Sequence, residues 1–205
     1  MAIKIILKNT LIKKRMENNL KNNYPSITKI LSSTQSKESQ DALERWRLRV
    51  GLEVAEKIKE DAIERGIKYD KYVQDFYNKK EIPHKQLANH LQEYELHSLE
   101  QNVKSDIYKY KGRYDCIFIK NNILILNDFK GSTKEKQRKW LNDYPLQISA
   151  YCKALEEDNI YVNYAMITVI LDDRIQKFIF NMDQMECFFK QFLIRLNKYK
   201  NETTY

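Results

Sequence analysis

Asp115, Asp128 and Lys130 stand at the outer ends of two apolar runs, 116–119 and 123–126, which are joined by Asn121-Asn122. Asparagine tolerates positive φ, so the pair predicts a two-residue turn and the runs a β-hairpin. In that register Lys120 faces Ile123, Ile119 faces Leu124, Ile117 faces Leu126, and Asp115 faces Asp128. Directly opposed side chains have Cβ atoms roughly 4.5–5.5 Å apart, where like charges repel. Strand side chains alternate, so Lys130 shares the face of Asp128 one pleat further on. Both faces are otherwise apolar, which predicts an interior hairpin in a covered sheet, and burial makes an uncompensated acid pair costlier. Lys130 can neutralise one charge. A divalent cation between the carboxylates can neutralise the rest, and hard oxygen ligands with open water positions suit Mg2+ or Mn2+. The hairpin alone leaves a second reading open: two acids in water, with Lys130 in a surface ion pair worth less than ~1 kcal/mol.

The elements that must hold these residues follow from periodicity. A short extended piece is expected over 26–31, then a polar cluster in which Ser36 or Ser39 caps a helix. Leu43, Trp46, Val50, Val54, Ile58 and Ala62 recur at helical spacing and predict one long amphipathic helix over about 41–65, with Trp46 on its core face. Gly66 is expected to break it, with a second helix to about 78 and a third after Pro83 to about 92. A strand is expected over about 98–110, before the hairpin. A helix over about 144–156 follows, with Pro145 as a break, then strands in 161–171 and 174–181 and a helix over 182–199 that opens with a capping box at Asn181 and Gln184. This order predicts an α/β fold with a central mixed sheet flanked by helices and a helical N-terminal region.

Bulk composition narrows the function classes. The 205 residues suit one domain, and 42% hydrophobic residues with four Gly and three Pro exclude a disordered or collagen-like chain. No apolar run reaches the ~18 residues of a membrane span, so no membrane partner is expected. An excess of eight positive charges favours an anionic partner. Cys116, Cys152 and Cys187 lack metal-site spacing and read as core thiols in a reducing compartment, while His84, His90 and His97 read as surface or structural residues. Residues 1–23 form a basic arm without the features of a secretory signal or transit peptide. The expected location is therefore intracellular, with a mitochondrial address not favoured.

Asp115 with Asp128-Phe129-Lys130 resembles the signature of the PD-(D/E)XK nuclease superfamily, an acid opening one strand and Asp/Glu-x-Lys on the next. Gln147-Ile-Ser-Ala-Tyr151 is similar to the Q-x-x-x-Y of its RecB-like branch, and Glu100 stands where that family places another acid. The stretches YPSITKIL, WRLRVG followed by Arg65-Gly66, KGRYDCI, LNDFKGS and KWLNDYPLQISAY resemble the mitochondrial genome maintenance exonuclease group and its viral and phage relatives, over about residues 24–155. One departure is Asp70, where relatives carry a histidine: it either supplies a substitute carboxylate or marks a lost role. The resemblance implies a restriction-endonuclease-like core, with residues 24–205 a single nuclease domain, mainly helical over 24–95 and α/β over 96–205. The four cysteines with which some relatives bind an iron–sulfur cluster are absent, so no such cluster is expected.

The same resemblance implies a metal-dependent DNA exonuclease with Mg2+ or Mn2+, one or two ions, held by Asp115, Asp128, the carbonyl of Phe129, Glu100 and Asp70. Such a metal lowers the pKa of bound water, and Lys130 orients the attacking hydroxide or stabilises the developing charge. Gln147 and Tyr151, four apart, share a helical face and position Lys130 or the nucleic acid; the alternative leaves Tyr151 in the core. Arg45, Arg47, Arg49, Arg65, Arg113, Lys136, Arg138 and Lys139 can track phosphates, and Trp140 can stack on a base. Ser132 either donates to a phosphate or is an ordinary turn residue. The expected substrate is DNA with single-stranded ends or flaps, in replication, recombination or degradation, with proteins of those processes as further partners. Two alternatives stay open: a structure-selective or single-strand endonuclease of the same superfamily, and an inactive nuclease-fold module that binds nucleic acid.

Overall fold

Asn121 and Asn122 adopt φ of 53° and 61°, the left-handed pair that a two-residue hairpin turn requires. The computed structural model describes residues 24–203; the expected basic arm over 1–23 lies outside the described residues. In chain order the described elements are α1 (Ile27–Ser33), α2 (Lys37–Val50), α3 (Leu52–Tyr77), α4 (Lys85–Gln92), β1 (Glu95–Ser105), β2 (Tyr110–Lys120), β3 (Ile123–Gly131), a 3-10 turn (Arg138–Trp140), α5 (Tyr144–Glu157), β4 (Tyr164–Ile170), β5 (Ile175–Asn181) and α6 (Met182–Thr203).

The β2–β3 ladder runs Lys120↔Ile123, Ile119↔Leu124, Phe118↔Ile125, Ile117↔Leu126 and Cys116↔Asn127, the register the twin asparagines predict. The five strands form one mixed sheet in the order β1-β2-β3-β4-β5, antiparallel except for the β3–β4 pair, which α5 connects. Ile117, Leu126, Ile167 and Val169 pack with residues of α1, α5 and α6 in one core, while Cys116, Phe118, Met166 and Ile170 pack with Tyr69, Val73, Leu87 and Leu91 of α3 and α4 in another. The hairpin is therefore covered on both faces, and each fully buried aliphatic or aromatic side chain stabilises by roughly 1.5–3 kcal/mol. The α/β architecture with a five-stranded mixed sheet between helices is that expected of a nuclease-like core. No helix among the described residues is long and apolar enough to cross a membrane.

Several local expectations are corrected. The piece after Pro25 is helical, because Ser26 accepts from Lys29 N and Ile27, Ile30 and Leu31 bury one face. The expected 41–65 helix is two helices, broken at Gly51 with φ of 88°, while Gly66 continues within α3. Ser36, not Ser39, caps α2, which buries no residue; Leu43, Val54 and Ile58 are exposed and Trp46 is half-exposed, not core. Its stripe reported helicity without a core partner. Pro145 sits in the first turn of α5, where its missing N–H costs nothing, instead of breaking the helix. Asn181 N donates to Gln184 Oε1 and Gln184 N to Asn181 Oδ1, the expected capping box. Cys116 and Cys152 are buried, but Cys187 is exposed. His84 caps α4, accepting from Leu87 N at Nδ1 and donating Nε2–H to Leu171 O, so its role is structural.

Candidate active site

The β2–β3 ladder stops at Cys116↔Asn127, one position before Asp115 and Asp128. In place of the next rung, Phe129 N donates to Asp115 Oδ2 at 2.7 Å. The carboxylate thus lies against the backbone of the strand that carries Asp128, which is only 1% exposed. Burial pushes the Asp115 carboxyl up to about 7, and the Asp128 charge adds to the rise; Lys130 and the Phe129 N–H act against it. Lys130 Nζ approaches Asp128 Oδ2 at 2.6 Å. The contact is a buried ion pair, with the Asp128 side chain 2% exposed. Burial disfavours the charge on Lys130, but Asp128 and Asp115 outweigh it and raise its pKa.

Helix α5 presents Tyr144, Gln147 and Tyr151, at i, i+3 and i+7, on one stripe toward these residues. Lys130 Nζ lies 4.9 Å from the centroid of the Tyr144 ring. Gln147 Nε2 donates to the Tyr151 hydroxyl at 2.8 Å, and burial followed by the Asp128 charge pushes the Tyr151 pKa up. Tyr151 is both buried and part of the charged cluster, so the core and site readings merge. It crosses β2 where Gly112 leaves room: a Cβ there would lie 2.5 Å from Tyr151 Cε1. Tyr144 is a residue the motif does not contain; its spacing from Gln147 and Tyr151 is the signal that reveals it.

Helix α3 closes the other side. Gly131, next to Lys130, packs against Tyr69 and Arg65, where a Cβ would meet Tyr69 Cδ2 at 3.0 Å and Arg65 Cγ at 3.1 Å. Asp70 sits exposed at the rim, its pKa raised by partial burial and then by Glu100. Glu100 has φ of 49° between the rungs Leu99↔Cys116 and Gln101↔Tyr114, so its position lies across from Asp115. Its Oε2 accepts from Arg113 and its Oε1 from Gln74 at 2.8 Å. Gln74 carries no motif; it lies one turn beyond Asp70 on α3.

The expected phosphate contacts are dispersed. Lys139 lies over the Trp140 ring at 5.6 Å, and Trp140 is 48% exposed, as a stacking platform would be. Arg138 is engaged with Phe180 and with Ile179 O on β5, and Lys136 N with Gln176 Oε1. Ser132 is buried and its hydroxyl donates to Lys134 O at 2.6 Å, a turn contact. Arg45, Arg47 and Arg49 stand exposed on α2.

Among the described residues no three His, Cys, Asp or Glu side chains converge into a preformed metal cage. Nevertheless, two neighbouring acids, half-buried Asp115 and buried Asp128, would fit a hard divalent cation, for which carboxylate oxygens are suitable ligands.

No protein-family model matches the chain. Mitochondrial genome maintenance exonuclease 1 of Xenopus tropicalis is 30% identical over 87% of the chain and 58% of its own length. The Mus musculus and Homo sapiens proteins of that name are 28% and 26% identical, again over 87% of the chain. The chain spans about three fifths of the length of these relatives. The crystal structure of SSO0001 aligns at a TM-score of 0.43 and 17% identity, over 91% of this chain and 85% of that one.

Proposed function

We propose, from its homology to PD-(D/E)XK-type exonucleases of mitochondrial genome maintenance, that this protein is a metal-dependent DNA exonuclease acting at single-stranded ends or flaps in replication, recombination or degradation. The observation that carries the reading is the neighbouring carboxylates of half-buried Asp115 and buried Asp128, with Lys130 Nζ 2.6 Å from Asp128 Oδ2. Asp115, Asp128 and the Phe129 carbonyl would hold Mg2+ or Mn2+, with Asp70 and Glu100 at the rim for a second ion. When bound, the cation supplies Lewis acidity that polarises a phosphodiester oxygen and lowers the pKa of water.

The chain's own residues do the rest. Lys130 donates to the attacking oxygen or to a non-bridging phosphate oxygen, where charge grows in the transition state. Hydrolysis forms one P–O bond to the water oxygen, breaks the bridging P–O bond, and leaves the departing ester oxygen protonated. The Gln147–Tyr151 pair walls Lys130 from α5 and limits where its ammonium can go. Arg65 and Arg113 hold flanking phosphates, and Trp140 stacks a base.

The binding-module alternative draws on Glu100, whose oxygens already accept from Arg113 and Gln74, and on the absence of a three-ligand cage among the described residues. End-labelled single- and double-stranded oligonucleotides, linear and circular, incubated with magnesium or manganese, distinguish the readings. The exonuclease cuts linear but not circular DNA, and Asp128→Ala and Lys130→Ala each lose about 100-fold or more while remaining folded. Cutting of circular DNA selects the endonuclease. A wild-type protein that binds DNA but cleaves nothing with either metal selects the binding module.

A further inference from the structure

The geometry points to Tyr144 as the residue that positions Lys130 for its work on the phosphodiester, an inference that rests on the nuclease reading above. Besides Asp115 and Tyr151, which also act on it, the Lys130 ammonium lies against two groups of different kinds: Asp128 Oδ2 at 2.6 Å and the face of the Tyr144 ring, centroid at 4.9 Å. The carboxylate is a contested partner, since any cation drawn to Asp128 competes with the ammonium for the same oxygen. The ring is not contested. Its face attracts the ammonium electrostatically but accepts no regular hydrogen bond, so the lysine's N–H groups stay available to an incoming oxygen.

The ring also stands on a fixed mount. Tyr144 N donates to Leu141 O at 3.0 Å, and Pro145 fixes the first turn of α5. The preceding Asp143 is gripped by Arg195 of α6, NH1 to Oδ1 at 3.1 Å, and Arg195 Nε in turn donates to Thr34 Oγ1 at 2.7 Å. A flexible four-carbon side chain is thereby given, beside the acid it must release, a second hold whose position is set by packed helices.

Two readouts test this. In metal-free protein labelled with 13C-lysine, the Lys130 ε-methylene protons are shifted upfield by the ring in wild type and in Tyr144→Phe, and lose the shift in Tyr144→Leu. An unchanged shift in the leucine variant overturns the inference. In the cleavage assay with manganese, Tyr144→Leu loses about tenfold in kcat with KM within about twofold, whereas Tyr144→Phe turns over like wild type, because the ring and not the hydroxyl holds the lysine. A leucine variant at the wild-type rate, or a phenylalanine variant as slow as the leucine one, overturns it. If wild type cleaves no substrate while the shift difference holds, the nuclease reading fails and the ring's hold on Lys130 stands.

Discussion

Phe129 N–H donates to Asp115 Oδ2 at 2.7 Å at the position where the β2–β3 ladder would have placed its next rung. A side chain has taken over from a backbone carbonyl, and the exchange brings the Asp115 carboxylate beside the strand of Asp128. The surroundings of Asp115 are Asp128 and Lys130 of β3, the Phe129 N–H and, from α3, Asp70. Folded Asp115 keeps its proton up to about pH 7, whereas its ordinary value is 3.8. Between those limits the native state binds more protons than the unfolded chain, so this residue's contribution to metal-free stability falls as pH rises through the window. Buried His90, lowered to about 4, works in the opposite direction over the acidic part of the range, so the useful quantity is a difference between variants. Melting temperatures from pH 4.5 to 7.5 should show Asp115→Asn gaining on wild type as pH rises. Because a cation must displace that proton, manganese should stabilise wild type more at pH 7.5 than at pH 5.5.

Lys130 is the only positive group drawn tightly to Asp128 among the described residues, at 2.6 Å with the aspartate side chain 2% exposed. Removing one partner of a buried pair leaves the other charge uncompensated, which costs about 3 kcal/mol. Lys130→Ala should therefore lower stability by roughly that amount in metal-free urea unfolding, and Asp128→Asn in the same chain should recover most of it. Additive losses in the double variant would show that the two side chains do not act as a pair.

At Gly112, β2 and α5 approach closely. A methyl group at this position would sit 2.5 Å from Tyr151 Cε1 and 2.9 Å from Ile27 Cδ1, so the ring must move. Overpacking of this kind costs about 1–3 kcal/mol. Gly112→Ala should lower stability by that amount and reduce cleavage beyond what stability explains, because the displaced ring carries the hydroxyl that receives Gln147 Nε2. Unfolding curves and turnover measured on the same samples separate the two effects.

How much of this could be read from the residues differs by scale. The hairpin register was legible because alternation and a two-asparagine turn leave little choice, and a one-residue slip would turn Asp128 and Lys130 to the opposite face. The layer around it followed from the 3.6-residue spacing in α5 and α6. Glu100 was legible as an acid upstream but not as the partner of Arg113 and Gln74, since its left-handed φ of 49° is a tertiary compromise that no local pattern announces. Tyr144 carries no motif, and its place over Lys130 depends on how α5 crosses β3. The stripe on α2 looked like a core face because amphipathicity records which residues share a side, not what covers it.

The same limit explains the two glycines. Helical spacing alone runs the helix through Gly51 and breaks it at Gly66, yet of the two only Gly51 takes a positive φ, 88° with ψ of 144°, between α2 and α3. Gly66 is helical, with open space where a Cβ would project. An alanine at 51 must adopt a positive-φ extended conformation that costs a residue with a Cβ about 1–3 kcal/mol, whereas an alanine at 66 gains helix propensity of about 1 kcal/mol. Gly51→Ala should therefore lower the urea midpoint and Gly66→Ala raise it, with the slope of the transition unchanged in both. The opposite ordering would mean that α2 and α3 are one continuous helix in solution, and Arg45, Arg47 and Arg49 would then lie elsewhere relative to the sheet.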